Sequence, residues 1–130
     1  INGVAPYLQP IDRRTSPGYP FVKAKESNSR GKVQWLEELA PKYEGEGKVF
    51  KMNEELELAV KTREELARNG QKMSTIAYAC LKDETRSVEK IKSGSTRIFT
   101  CLPFDYNLLI RKYFGTFVMT MHANAGKIPS

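Results

Sequence analysis

Residues 81–99 read LKDETRSVEKIKSGSTRIF and place Lys82, Arg86, Lys90 and Arg97 at fixed offsets within one predicted hairpin. The flanking stretches decide the local fold. Residues 75–81, TIAYACL, and residues 96–101, TRIFTC, are short and rich in β-branched and aromatic side chains, so each is a predicted strand. Joined by a charged, glycine-containing excursion, they predict an antiparallel ribbon with a long polar loop. Lys and Arg repel one another unless an anion sits between them, and a polyphosphate offers several charged oxygens at once. The interval of four between Lys82, Arg86 and Lys90 means that a helical or curled connection would align them, while Arg97 can present a planar fork. Glu84 and Glu89 are candidate salt-bridge partners that would hold the cations in place. Spacing alone leaves two readings open, a phosphate clamp and a solvated charged hairpin.

Downstream of the ribbon, Pro103 breaks the second strand and Asp105 opens a predicted helix through about His122. Leu108, Leu109, Phe114, Phe117, Val118 and Met121 are expected to supply its buried surface. Upstream lies the clearest helix, from about Asn53 to Asn69, capped by Asn53, with Glu54 and Glu55 at its positive end and Gly70 to close it. Leu56, Ala59, Val60, Leu66 and Ala67 form its apolar stripe, and the face bearing Glu57, Lys61, Glu64, Glu65 and Arg68 is mixed in sign. In residues 32–40, KVQWLEELA, Val33, Leu36 and Leu39 stand at helical spacing, which predicts a further helix ended by Pro41, with Trp35 as a core anchor. Residues 43–48 read as a flexible connection. Residues 1–31 carry Pro6, Pro10, Pro17 and Pro20, so an extended, looping segment is expected there. Interleaved helices and short strands indicate an α+β unit.

The chain of 130 residues is long enough for one domain with a modest core, or for a piece of something larger. Its first residue, Ile1, and its last four, Lys127-Ile128-Pro129-Ser130, favour the piece. The 21 Lys and Arg against 15 Asp and Glu give a net charge of +6, unevenly spread. Residues 1–70 hold 12 basic and 11 acidic side chains, and residues 71–130 hold 9 and 4, so the second half carries +5 of the charge. That asymmetry points to an anionic partner, of which nucleic acid is the common one. The two cysteines, Cys80 and Cys101, are too few for a disulfide scaffold, fit a reducing compartment and are expected to pack as small apolar groups. No apolar run approaches the roughly 20 residues of a membrane span, and no signal peptide is legible.

Much chemistry lacks its residues. His122 has no partner base or nucleophile nearby in sequence, no Cys and His cluster suggests a metal, and Asp12, Asp83 and Asp105 are scattered. No G-x-x-x-x-G-K-[ST] loop occurs. What remains is electrostatics.

Lys82-Asp83-Glu84, followed by Arg86, Lys90, Gly94 and Thr96-Arg97, resembles motif F of the RNA-dependent RNA polymerases of picorna-like, dicistrovirus/iflavirus-type, positive-strand RNA viruses. Thr15-Ser16-Pro17-Gly18-Tyr19-Pro20-Phe21 resembles motif G of the same enzymes, and Ile110-Arg111-Lys112-Tyr113-Phe114-Gly115 is similar to the helix after motif F. Order and spacing agree, and the resemblance covers the chain from about Thr15 onward.

The resemblance implies that residues 1–130 are part of an RNA-directed RNA polymerase domain, a fingers fragment of a right-hand polymerase, inactive alone and cut from a polyprotein. It implies that Lys82, Arg86, Lys90 and Arg97 bind the incoming nucleoside triphosphate, and that Thr15, Ser16 and Gly18 touch or guide template RNA, Gly18 by letting backbone approach a strand closely. The implied reaction is attack of a primer 3′ hydroxyl on the α-phosphate, with Mg2+ ions held by palm aspartates absent from these residues. Implied partners are template and product RNA, nucleoside triphosphates and other parts of the polymerase, at membrane-associated replication complexes in the host cytoplasm. One departure stands out: many relatives carry a further Lys or Arg where this chain has Ser95, with Lys92 as a candidate substitute. The rival readings are a non-catalytic basic RNA-binding module and a basic structural domain.

Overall fold

The computed structural model describes residues 1–2, 8–40, 42, 49–82, 85–95 and 97–127. In chain order these form α1 (Phe21–Ala24), a 3-10 turn (Val33–Trp35), β1 (Leu36–Leu39), β2 (Val49–Met52), α2 (Glu54–Arg68), β3 (Tyr78–Leu81), α3 (Val88–Lys92), β4 (Ile98–Cys101) and α4 (Phe104–Ala123). Two separate antiparallel pairs, β1 with β2 and β3 with β4, accompany the helices, and the unit is α+β as expected.

α2 forms where its caps predict. The Asn53 side chain accepts from Leu56 N at 3.0 Å, Glu54, Glu55 and Glu57 occupy the first turn, and Arg68 occupies the last. Its buried stripe differs from the expected one. Leu56 and Val60 are buried, Leu66 is half-buried and Ala67 is exposed, while Arg63 takes an interior position. α4 starts just after Pro103, and the Asn107 side chain donates to Leu102 O at 3.2 Å across its first turn. Of the residues expected to be buried on α4, Leu108 is buried and Leu109 packs partly against the core. Phe114, Phe117, Val118 and Met121 are exposed, because the contact with α2 covers only one side of the helix's first half.

The stretch 32–40 is not a helix. After the 3-10 turn it becomes β1, in which Leu36 pairs with Met52 and Glu38 with Phe50. Of the three residues at helical spacing Leu36 alone is buried: Val33 and Leu39 are exposed, and the fully buried pair is the consecutive Trp35 and Leu36. Pairing with β2 supplies backbone partners that the short sequence window does not reveal. Pro41 and residues 43–48, read as helix terminator and flexible connection, lie outside the described residues. Among the described residues of 1–31 one helical turn, α1, interrupts the expected looping segment. It carries Phe21 into the core, edge-on to Trp35 at 5.4 Å and to Phe104 at 6.4 Å between ring centroids.

The core is Phe21, Trp35, Leu36, Phe50, Leu56, Val60, Phe104 and Leu108. Trp35 is the anchor that the sequence suggests, and its indole N–H donates to Glu55 Oε2 at 3.1 Å. Burying each large side chain contributes about 1.5–3 kcal/mol. The predicted ribbon is present but shorter than expected, since residues 75–77 precede β3 without joining it. None of its eight residues is fully buried, so it stands at the edge of the core.

Candidate nucleotide and template interface

Lys82 and Arg97 flank the ribbon at its open end. Lys82 N donates to Arg97 O at 2.9 Å, which extends the β3–β4 ladder by one step and makes the two cations backbone neighbours. Beyond them the chain turns through α3, which carries Lys90 and Lys92 in its last turn. Arg86 lies before that helix, so no single helix aligns Lys82, Arg86 and Lys90 as one row. Instead the Arg86 guanidinium donates from Nη1 to the Ser95 carbonyl, tying the outgoing arm to the returning one. Ser95 has a local structural role of its own, since its hydroxyl also meets Ser93 Oγ at 3.2 Å. Lys82, Lys90 and Arg97 are exposed and Arg86 is half-buried. Glu84 lies outside the described residues, and among those described Glu89 forms no ion pair with the cations.

The second segment, Thr15 to Phe21, is built around a buried lysine. Lys32 Nζ donates to Asp12 O at 3.3 Å, to Thr15 O at 3.1 Å and to Thr15 Oγ1, and it sits 5.5 Å from the centre of the Phe104 ring. Thr15 Oγ1 in turn donates to Asp12 O at 2.9 Å. Burial pushes the Lys32 ammonium below the usual lysine range, and the Asp12 carboxylate partly offsets this. A lysine between Gly31 and Val33 reads as surface in the sequence, and nothing local marks it as interior. The result is a fixed loop whose Thr15 and Ser16 side chains face solvent.

This loop is fastened to the root of the ribbon. Ser16 Oγ and Tyr78 OH lie 2.7 Å apart, and Gly18 N donates to Ser16 Oγ at 3.3 Å. Gly18 is buried with φ +73°, and a Cβ on it would meet Leu102 O at 2.2 Å. The space left by the missing side chain is therefore filled by backbone of this chain, between β4 and α4. That is a different physical reason for glycine than close approach to a nucleic-acid strand.

A buried ion pair holds the approach to β3. Arg63 donates from Nε to Asp105 Oδ2 at 2.8 Å and from Nη1 to Thr75 Oγ1 at 2.8 Å, with its guanidinium 5.4 Å from the Tyr106 ring centre. The helical stretch Ile110 to Gly115 works as scaffold. Arg111 donates to Gln9 O, and Lys112, Tyr113 and Arg68 all converge on the Glu64 carboxylate. These donors, Lys112 first and then Tyr113 and Arg68, hold Glu64 down at about 2. Among the described residues no group of three or more His, Cys, Asp or Glu is placed to hold a metal ion. Asp105 is buried in its ion pair with Arg63, and the Asp12 carboxylate accepts from Arg14 N at 2.8 Å.

Residues 2–130 match the family described as viral RNA-dependent RNA polymerase. The chain is 38% identical over 120 residues to the genome polyprotein of rice tungro spherical virus (strain Vt6), covering 90% of this chain and 4% of that protein. It is 30% identical over 123 residues to the replicase polyprotein of acute bee paralysis virus (strain Rothamsted), covering 95% and 6%. It is 28% identical over 122 residues to the genome polyprotein of human hepatitis A virus genotype IB, covering 94% and 5%. Among solved structures, the chain is similar to a "Sicinivirus 3Dpol RNA dependent RNA polymerase" with a TM-score of 0.65 and 24% identity, covering 94% of this chain and 22% of that one. Plant, insect and human viruses are all represented, and the chain spans a small part of each relative. With the match extending over nearly every residue, the chain belongs to the viral RNA-dependent RNA polymerase family.

Proposed function

We propose that residues 1–130 are part of the fingers of an RNA-directed RNA polymerase domain, in which Lys82, Arg86, Lys90 and Arg97 hold the triphosphate of the incoming nucleotide while Thr15, Ser16 and Gly18 guide template RNA. One observation carries this reading: the two segments are joined at the ribbon root by Ser16 with Tyr78 and by Gly18 against Leu102. The segment bearing Thr15 and Ser16 and the cations Lys82 and Arg97 are thus linked through the β3–β4 ribbon. Fixed cations beside a triphosphate stabilise the charge that builds as pyrophosphate departs, with little reorganisation at the moment of reaction. Nucleotide transfer itself needs groups outside these residues. Magnesium, which supplies Lewis-acid activation when bound, is assigned to no side chain of this chain.

The same reading puts the polymerase at membrane-associated replication complexes in the host cytoplasm, on family grounds alone. No helix among the described residues is long and apolar enough to cross a membrane.

In the polymerase that contains this chain, Arg97→Ala is expected to slow single-turnover nucleotide incorporation at least about 10-fold, as for loss of a charge-assisted phosphate contact. Unchanged kinetics would remove Arg97 from the site. A full-length protein that binds single-stranded RNA with a salt slope of about 0.7 per phosphate contacted, yet incorporates no nucleotide, would instead be a non-catalytic RNA-binding module.

A further inference from the structure

Cys80 on β3 and Cys101 on β4 bring their Sγ atoms to 3.9 Å. The register accounts for this. Cys80 opposes Phe99 and Cys101 opposes Tyr78, so the cysteines are diagonal neighbours, and the period-2 alternation puts both on one face of the ribbon. Both thiols are free and half-buried. The chain between them is the excursion that carries Lys82, Arg86, Lys90 and Arg97.

We propose that Cys80 and Cys101 form an oxidisable dithiol that closes to a disulfide across the root of the cationic hairpin. With hydrogen peroxide as oxidant, one thiolate attacks a peroxide oxygen, the O–O bond breaks, and a sulfenic acid and hydroxide result, the hydroxide taking up the proton that the thiol released to give one water. The second thiol then attacks the sulfenic sulfur, forms the S–S bond and expels a second water, so that two electrons pass from the thiols to the peroxide. Burial and the contact with Cys101 push the Cys80 thiol up, which lowers its thiolate fraction and slows its attack.

Closure has a mechanical consequence. Diagonal neighbours start further apart than directly opposed residues, and a disulfide needs its sulfurs at about 2.05 Å. Joining the two therefore draws β3 and β4 together at this point and shifts the adjoining steps, Leu81 with Ile98 and Lys82 with Arg97. The ribbon can yield because none of its residues is fully buried. Tyr78, which holds Ser16, shares the same face and opposes Cys101. Oxidation thus changes the placement of the proposed triphosphate cations, a consequence that rests on the function proposed above, although the disulfide itself does not.

The test uses the full-length polymerase, native and in urea, treated with hydrogen peroxide, alkylated without reduction and digested with trypsin. The expected product from native protein is a dithiothreitol-sensitive linkage between peptides 73–82 and 98–111, absent in Cys80→Ser and much weaker in urea. Separate alkylation or over-oxidation of the two thiols with no linked peptide would overturn the proposal, as would equal linkage in the unfolded chain. In the same samples, incorporation is expected to fall at least about fivefold on oxidation, the size of losing part of one charge-assisted contact, to recover with dithiothreitol and to stay unchanged in Cys80→Ser. Linkage without that fall would overturn control of the hairpin. Failure of Arg97→Ala to slow incorporation would overturn the triphosphate reading without touching the linkage.

Discussion

Arg63 and Asp105 form an ion pair in the interior between α2 and α4, Nε to Oδ2 at 2.8 Å, with side chains only 7% and 5% exposed. The pair has further hydrogen bonds, since Arg63 also reaches Thr75 and Asp105 Oδ1 accepts from Tyr106 N. It therefore ties two helices to the segment that leads into β3. Removing one partner leaves an uncompensated buried charge, so Asp105→Ala is expected to destabilise the protein by about 3–5 kcal/mol. The double replacement Arg63→Met with Asp105→Leu should cost clearly less than the sum of the single changes. Thermal unfolding of the wild type, Arg63→Met, Asp105→Leu and the double variant measures this, and additive losses would show that the pair is not coupled.

Glu64 gives acid sensitivity a specific source. Its carboxyl titrates at about 2 in the folded protein against an ordinary 4.5, because Lys112, Tyr113 and Arg68 donate to the charged form. For a depressed carboxyl the stabilisation is complete above the unfolded value and is lost as pH falls through the folded one. Melting temperature is accordingly expected to drop between about pH 5 and pH 2. Glu64→Gln should start lower at neutral pH and fall less over that window. Parallel pH profiles for the two proteins would show that this cluster is not the source.

Two glycines with positive φ separate strain from crowding. At Gly18 a Cβ would meet Leu102 O at 2.2 Å, whereas at Gly94, φ +68°, it meets nothing within 4 Å. Gly94→Ala is expected to cost about 1–2 kcal/mol, the left-handed penalty alone. Gly18→Ala should cost clearly more and displace the junction of β4 with α4, so that template binding weakens along with stability. Comparing unfolding curves of the two variants measures the difference, and equal losses would remove the role given to Leu102.

The bond between Ser16 and Tyr78 directly links the Thr15–Gly18 loop, proposed above to guide template, to the ribbon. Tyr78→Phe keeps the ring and removes one hydroxyl, for an expected loss of about 0.5–1.5 kcal/mol. Because Ser16 is exposed and has a second contact at Gly18 N, the change should appear in function more than in stability. We expect weaker template affinity in Tyr78→Phe, with no additional loss when Ser16→Ala is combined with it. Additive losses in that double-mutant cycle would show that the two hydroxyls act separately.

The ribbon, its cationic excursion, α2 with its Asn53 cap and α4 after Pro103 were legible in the sequence, because each depends on neighbours within a few residues: strand formers about a polar loop, a cap before a periodic stripe, a proline before a helix. The α+β character followed from those elements. The candidate site entered as two segments, Thr15 to Phe21 and Lys82 to Arg97, through their resemblance to motifs of the polymerase family and not through residue types alone.

Tertiary structure decided the rest. Residues 36–39 became a strand because β2 lies alongside, although their local spacing fits a helix. Lys32 and Arg63 look like ordinary surface cations in the sequence, yet each is buried where carbonyls, a hydroxyl or a carboxylate from distant segments meet its charge. Gly18 serves Leu102, 84 positions along the chain, and Cys80 meets Cys101 only through the ribbon register. Periodicity and capping act over a few residues, so one sequence states them. A buried charge or a backbone contact depends on which distant atoms arrive beside it, and only the folded chain settles that.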